Sequence, residues 1–171
     1  EKWDPLYNIT GKHHAGGIKA AAHLTSCLIE WQKTPLDMAY FYLIGHGTSS
    51  WSPWLFGRRQ KIFHAFRAFA EMAHHANLVK TDSNSERIRL IAGKDAQGNR
   101  AVLISVFAPE GTECGEIAVR FPTGADTEAM KVLLLDSEHD LEEIPCECDG
   151  DALILPASAG GYRICLVKES L

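Results

Sequence analysis

The sequence predicts an α+β chain in two parts, a helix–strand–helix segment of the α/β kind followed by an antiparallel β-sandwich. Three observations carry this prediction. Apolar residues recur at helical spacing in two stretches before residue 81. A nearly unbroken apolar run, residues 37–44, lies between those stretches. From Asp82 onward the helical period gives way to short apolar stretches separated by turn residues. With 171 residues, 46% hydrophobic and 23% charged, the chain is long enough to bury a real core, as one domain or two small ones.

Over residues 13–33, Ile18, Ala21, Ala22, Leu28 and Ile29 form a stripe that Leu24 and Trp31 widen, and no proline intervenes before Pro35. That pattern is an amphipathic helix with a buried face. Asp37-Met38-Ala39-Tyr40-Phe41-Tyr42-Leu43-Ile44, ended by Gly45, suits a strand covered on both faces, as in a parallel sheet. A Gly/Ser loop carrying Trp51, Trp54 and Phe56 follows. Residues 61–75 then place Ile62, Phe66, Phe69, Ala70 and Ala73 on one stripe, opposite Arg67 and Glu71 at ion-pair spacing, which predicts a second helix. In parallel α/β folds the C-terminal end of such a strand carries the chemistry.

Asp82-Ser83-Asn84-Ser85 breaks the pattern. Beyond it, strands are expected at 86–92, 100–107, 116–121, 130–135, 140–144, 152–155 and 162–168. Turn residues separate them, among them Ala96-Gln97-Gly98-Asn99, Asp149-Gly150 and Gly160-Gly161. This spacing argues for a sandwich, and the apolar residues on both faces of 101–107 mark a central strand. Asp136-Ser137-Glu138-His139-Asp140 falls between two strands and reads as a solvated, charged turn.

A net charge of −5 and the lack of a long Lys/Arg run give no electrostatic footprint for DNA or RNA, so no nucleic-acid partner is expected. No window approaches the roughly 18 uninterrupted apolar residues of a membrane span, and no membrane partner is expected. The chain opens on Glu1 and reads like the middle of a protein, so any signal peptide would lie upstream. Five scattered cysteines do not form a disulfide framework, which favours reduced thiols and a cytoplasmic setting. Cys146-Glu147-Cys148 has no second pair at zinc-site spacing, and no two histidines of a predicted helix fall at the i, i+4 spacing that puts two ligands on one side. No metal or cofactor is therefore expected.

Several motifs follow one another in a meaningful order: Glu1-Lys2-Trp3-Asp4-Pro5-Leu6-Tyr7-Asn8, the His- and Ala-rich 13–22, the aromatic run, Leu55-Phe56-Gly57 and Lys61-Ile62-Phe63-His64-Ala65-Phe66-Arg67. This order resembles the C-terminal part of clan A glycoside hydrolases, most nearly glycoside hydrolase family 39, the β-xylosidase and α-L-iduronidase group. The chain departs from that family's pattern at Ile62, where Pro is usual, and by one extra residue in Glu1-Lys2-Trp3.

The resemblance implies that residues 1–81 are the last α/β units of a (β/α)8 barrel (TIM barrel) and that 82–171 form a β-sandwich accessory domain. It implies a carbohydrate substrate, an upstream barrel segment of the same protein as partner, and retaining hydrolysis of O-glycosidic bonds in xyloside-like or related sugars by double displacement. Glu1 would be the nucleophile. A retaining site needs two carboxyl groups about 5 to 5.5 Å apart, and the family places the acid/base Glu upstream, so these residues alone would be inactive.

Trp51 and Trp54 are candidate substrate-binding residues, because sugar C–H faces pack on aromatic rings while their hydroxyls need polar partners. His46, just past the strand end, would supply such a group, and Trp3 has the same reading as the tryptophans. Each candidate also has a structural role open to it. A first residue such as Glu1 is commonly frayed, and one tryptophan is expected to seal the junction between barrel and sandwich. The alternative function is a non-catalytic carbohydrate- or partner-binding β-sandwich module.

Overall fold

The computed structural model describes residues 16–41, 52–55, 57–109, 111–122, 125–157 and 160–169. In chain order the elements are α1 (Ile18–Trp31), β1 (Trp54–Leu55), β2 (Arg58–Arg59), α2 (Lys61–Met72), a 3-10 turn (Ala73–His75), β3 (Asn77–Val79), β4 (Ile88–Lys94), β5 (Arg100–Phe107), β6 (Ile117–Arg120), β7 (Met130–Leu135), β8 (Asp140–Ile144), β9 (Glu147–Asp149), β10 (Ala152–Leu155) and β11 (Tyr162–Glu169). No helix among the described residues is long and apolar enough to cross a membrane.

The strands form a six-stranded antiparallel sheet, β3-β4-β5-β11-β7-β8, facing a three-stranded sheet, β6-β10-β9; β1 and β2 make a separate hairpin. Alternation along the strands explains why both faces of the large sheet are apolar. Val102, Ile104 and Val106 of β5, with Cys165 and Val167 of β11, point into a core shared with Val119, Leu153 and Leu155 of the small sheet. Ala101 and Leu103, with Ile164 and Leu166, point the other way, into a core shared with Ala21, Ala22 and Ile29 of α1 and Ile62, Ala65, Ala68 and Met72 of α2. Among the described residues the fold thus has three layers: two helices, a large sheet and a small sheet. Strands β5 and β11 occupy the middle of the large sheet, as the two-faced apolar pattern of residues 101–107 requires.

Polar contacts fasten the layers. Ser105 Oγ of β5 donates to the Ala22 carbonyl of α1 at 2.9 Å and accepts from Ser26 Oγ at 3.0 Å. Glu71 of α2 pairs with Lys168 of β11 at 2.9 Å; it reaches across to the sheet rather than along its own helix to Arg67. Arg163 of β11 is fully buried, and its guanidinium donates to the carbonyls of Gly115 and Pro156, binding the large sheet to one end of the small one, where β6 starts and β10 finishes. The β4–β5 turn shows the local chemistry: Asp95 accepts from the amides of Gln97 and Asn99, and Gly98 takes φ +93°, a conformation that favours glycine.

All seven expected strands form, within two residues of their expected ends, as β4–β8, β10 and β11. Four short ones were not anticipated: β1 and β2, which pair with each other where a loop was expected, β3, which lies before the expected boundary at residue 82 and pairs with β4, and β9, which pairs with β10. The strand expected at 37–44 is not formed in its described part, residues 37–41. That part has no regular secondary structure and no neighbouring strand among the described residues to complete a ladder, and Met38 and Tyr40 are 63% and 88% exposed. Residues 42–44 lie outside the described residues.

Candidate functional site

Of the residues singled out in the sequence, Glu1, Trp3, His46 and Trp51 lie outside the described residues, and Trp54 lies within them. Trp54 sits in the β1–β2 hairpin, paired with Arg59, while Leu55 pairs with Arg58. Gly57 makes the reversal with φ +76°. The hairpin leads straight into α2, so its conformation is set by how that helix begins.

Gln60 is the pivot. It is extended at the N-cap of α2, and its carbonyl accepts from the amide of Phe63 at 2.9 Å. Its own N–H donates to the Pro53 carbonyl at 2.8 Å, and its buried side chain donates to the Ser52 carbonyl. Ser52 Oγ in turn accepts the amide of Trp54 at 3.2 Å, the local side-chain-to-backbone bond that serine favours in turns. Gly16, just ahead of α1, approaches so closely that a Cβ there would meet Gln60 Oε1 at 1.8 Å. The two helices therefore begin side by side, and Phe41, in the segment after α1, lies edge-on to Phe66 of α2 at 4.9 Å.

The Trp54 ring is half-buried and lies edge to face with Phe63, centroids 4.9 Å apart at 61°. The Arg59 guanidinium sits 4.8 Å from the centroid of the same Phe63 ring. Phe63 thus supports both an aromatic surface and a cation, a pairing able to pack a sugar face and donate to its hydroxyls. Next to it His64 is buried, with Nδ1 unpartnered. Burial pushes its pKa down; Asp140 opposes this, while Arg67, Lys61 and Arg59 add to it, so the ring is held neutral. Lys61, one residue past the N-cap, reaches the β7–β8 turn, donating to the His139 carbonyl at 2.9 Å and to Asp140 at 2.6 Å.

The sequence singled out Trp54 but not Arg59, Gln60 and Phe63, which surround it. A polar residue immediately before an apolar helical stripe was the available signal for Gln60. Among the described residues no group of three or more His, Cys, Asp or Glu side chains is arranged to hold a metal ion.

No family model matches the chain. No curated protein matches it either. Solved structures do. The chain is similar to a family 30 glycoside hydrolase endoxylanase from Clostridium papyrosolvens C71, with TM-score 0.56 and 12% identity over 89% of this chain and 39% of that one. It is similar to a family 30 subfamily 8 xylanase from Clostridium acetobutylicum, with TM-score 0.62 and 7% identity over 90% of this chain and 39% of that one. It is also similar to a glucosidase from Croceicoccus marinus, with TM-score 0.56 and 11% identity over 100% of this chain and 44% of that one. At these identities the likeness is one of fold, and the chain spans about two fifths of the length of these structures. Two of the three are named as family 30, where the sequence resemblance pointed to family 39. The motifs behind that resemblance are short and follow the order of the elements, so they carry a shared architecture more firmly than a particular family.

Proposed function

We propose that this chain is the C-terminal part of a retaining glycoside hydrolase that cleaves O-glycosidic bonds in xylose-containing or related glycans by double displacement. Residues 1–81 close its (β/α)8 barrel and residues 82–171 form its β-sandwich. The observation that carries this reading is the fold likeness to two xylanases and a glucosidase, which takes in nearly all of this chain and about two fifths of each of those. The helix pair adds local support. Two helices whose starts lie together are placed as the helices of successive barrel repeats are, and the exposed Leu36, Met38 and Tyr40 form the apolar strip that a neighbouring barrel strand would cover. Family 30 is the better framework for substrate comparison, because the xylanases that share this fold are named as its members.

In this reading the hairpin of Trp54 hangs over the sugar site, Trp51, His46 and Trp3 line it, and Glu1 attacks the anomeric carbon. The test is hydrolysis of xylan and aryl xylosides by the whole gene product. Glu1→Gln is expected to abolish turnover while leaving folding intact; unchanged turnover would remove Glu1 from the site. Trp54→Ala is expected to raise KM severalfold, and an unchanged KM would assign Trp54 to packing.

The second reading, a non-catalytic carbohydrate- or partner-binding module, draws on the continuous core that helices and sheets form among the described residues. Binding of xylo-oligosaccharides by the whole gene product without any hydrolysis would favour it.

A further inference from the structure

The run Asp136-Ser137-Glu138-His139-Asp140 is more than a solvated turn. Asp136 is buried, and its Oδ1 accepts from the amides of Glu138 and His139, both at 2.8 Å, and lies 3.0 Å from His139 Nδ1. The β7–β8 ladder pairs Leu134 with Glu142 but Leu135 with Asp140, so Leu141 is the extra residue of a bulge. Leu141 has φ +63°, a left-handed conformation that a side chain of its size rarely adopts, and its side chain is buried in the helix–sheet core. This turn presents the His139 carbonyl and the Asp140 carboxylate side by side, and Lys61 of α2 takes both.

Lys61 belongs to the first turn of α2, which also holds the hairpin. Gln60, its neighbour, bonds to Pro53 and Ser52, and Phe63 carries Trp54 and Arg59. A continuous set of contacts therefore runs from the sandwich turn through Lys61 to the ring of Trp54. We propose that the β7–β8 turn of the sandwich sets the position of the β1–β2 hairpin, with Lys61 as the positioning residue that joins them. The sandwich is then a part of the substrate site's framework rather than an appended module. The mechanical link stands on the contacts alone; its consequence for substrate rests on the reading of the hairpin as a sugar-holding loop.

Hydrogen exchange in this chain tests the link. Lys61→Met keeps the aliphatic stem and removes the donors; Lys61→Arg restores them. Protection of the Gln60 amide is expected to fall about tenfold or more in Lys61→Met and to return in Lys61→Arg, while the amides of Leu103 and Leu166 in the central strands stay protected. An unchanged Gln60 amide in Lys61→Met would overturn the proposal. If Lys61→Met also loosens the central strands, Asp140→Asn, which leaves the His139 carbonyl in place, is expected to lower Gln60 protection with the sheet intact; failure to do so is equally fatal.

The functional arm uses the whole gene product with xylohexaose. Lys61→Met is expected to raise KM about three- to tenfold with kcat changed less than about twofold, the signature of lost uniform binding, and Lys61→Arg to restore it. A KM raised by Trp54→Ala but not by Lys61→Met overturns the positioning role and keeps the sugar-site reading. A KM unmoved by both removes the hairpin from the substrate site, and the functional half of the proposal with it.

Discussion

His64 has a neutral imidazole buried on α2 with Nδ1 unpartnered, and its pKa lies below the ordinary 6.5 because burial penalises the cation. The unfolded chain, whose histidine has no such penalty, binds a proton first as pH falls, so stability rises with pH across this interval. The contribution is complete above 6.5 and is lost from there down toward the lowered folded value. The groups facing the ring are Asp140 on β8, Arg59 on β2, and Lys61 and Arg67 on α2, and the three cations reinforce the effect of burial. Acidification from about pH 7 to pH 5 is expected to lower the urea midpoint, and His64→Leu to flatten that part of the profile; parallel profiles would refute the assignment. A second fall belongs to carboxylates. Burial alone would raise the pKa of Asp136, but the amides of His139 and Glu138 and the His139 ring bring it below 3.8. The hydrogen bond from Lys168 brings Glu71 below 4.5. Their contributions are present above those values and are lost as pH falls beneath them. Sequence singled out Trp54 as a candidate, because large aromatics stand out in a Gly/Ser loop. It did not show that Lys61 meets a turn 78 residues away, since two charged segments read alone both look solvated.

Gly93 on β4 shows how closely the elements are set against each other. A Cβ added there would lie 1.9 Å from the carbonyl oxygen of His75, which is backbone and cannot rotate away. Gly93→Ala is expected to lower stability by about 1–3 kcal/mol through displacement of the 3-10 turn and β3, measured by urea denaturation; a loss under about 0.5 kcal/mol would mean that the turn moves freely. The strands were legible because their apolar residues alternate or fill both faces between clear turn signals. The misses have physical causes. Each of β3 and β9 has three residues, all exposed, too few and too wet to show a period. Residues 37–41 have the composition of a buried strand, but composition states what a segment tolerates, and a ladder needs a second strand beside it.

At the scale of the molecule, both helices share a core with the large sheet, and Ser105, Lys168 and Lys61 add polar fastenings between the layers. Helix and sheet are therefore expected to unfold in one transition, with ellipticity at 222 nm and exchange of β5 amides giving coincident midpoints. Two separated transitions would support independent units divided near residue 82. The strip of Leu36, Met38 and Tyr40, with exposures of 47%, 63% and 88%, is expected to drive self-association of the isolated chain. Met38→Glu with Tyr40→Glu should reduce it in light scattering without shifting the urea midpoint, and unchanged scattering would place the contact elsewhere. The order of strands in the large sheet bears on synthesis as well. The segment that joins β5 to β7 is β11, which leaves the ribosome after all the others. Until it emerges, the nascent chain holds two half-sheets with an open seam between them, each exposing apolar faces. That seam is where a chaperone would have to act or a premature stop would do most harm.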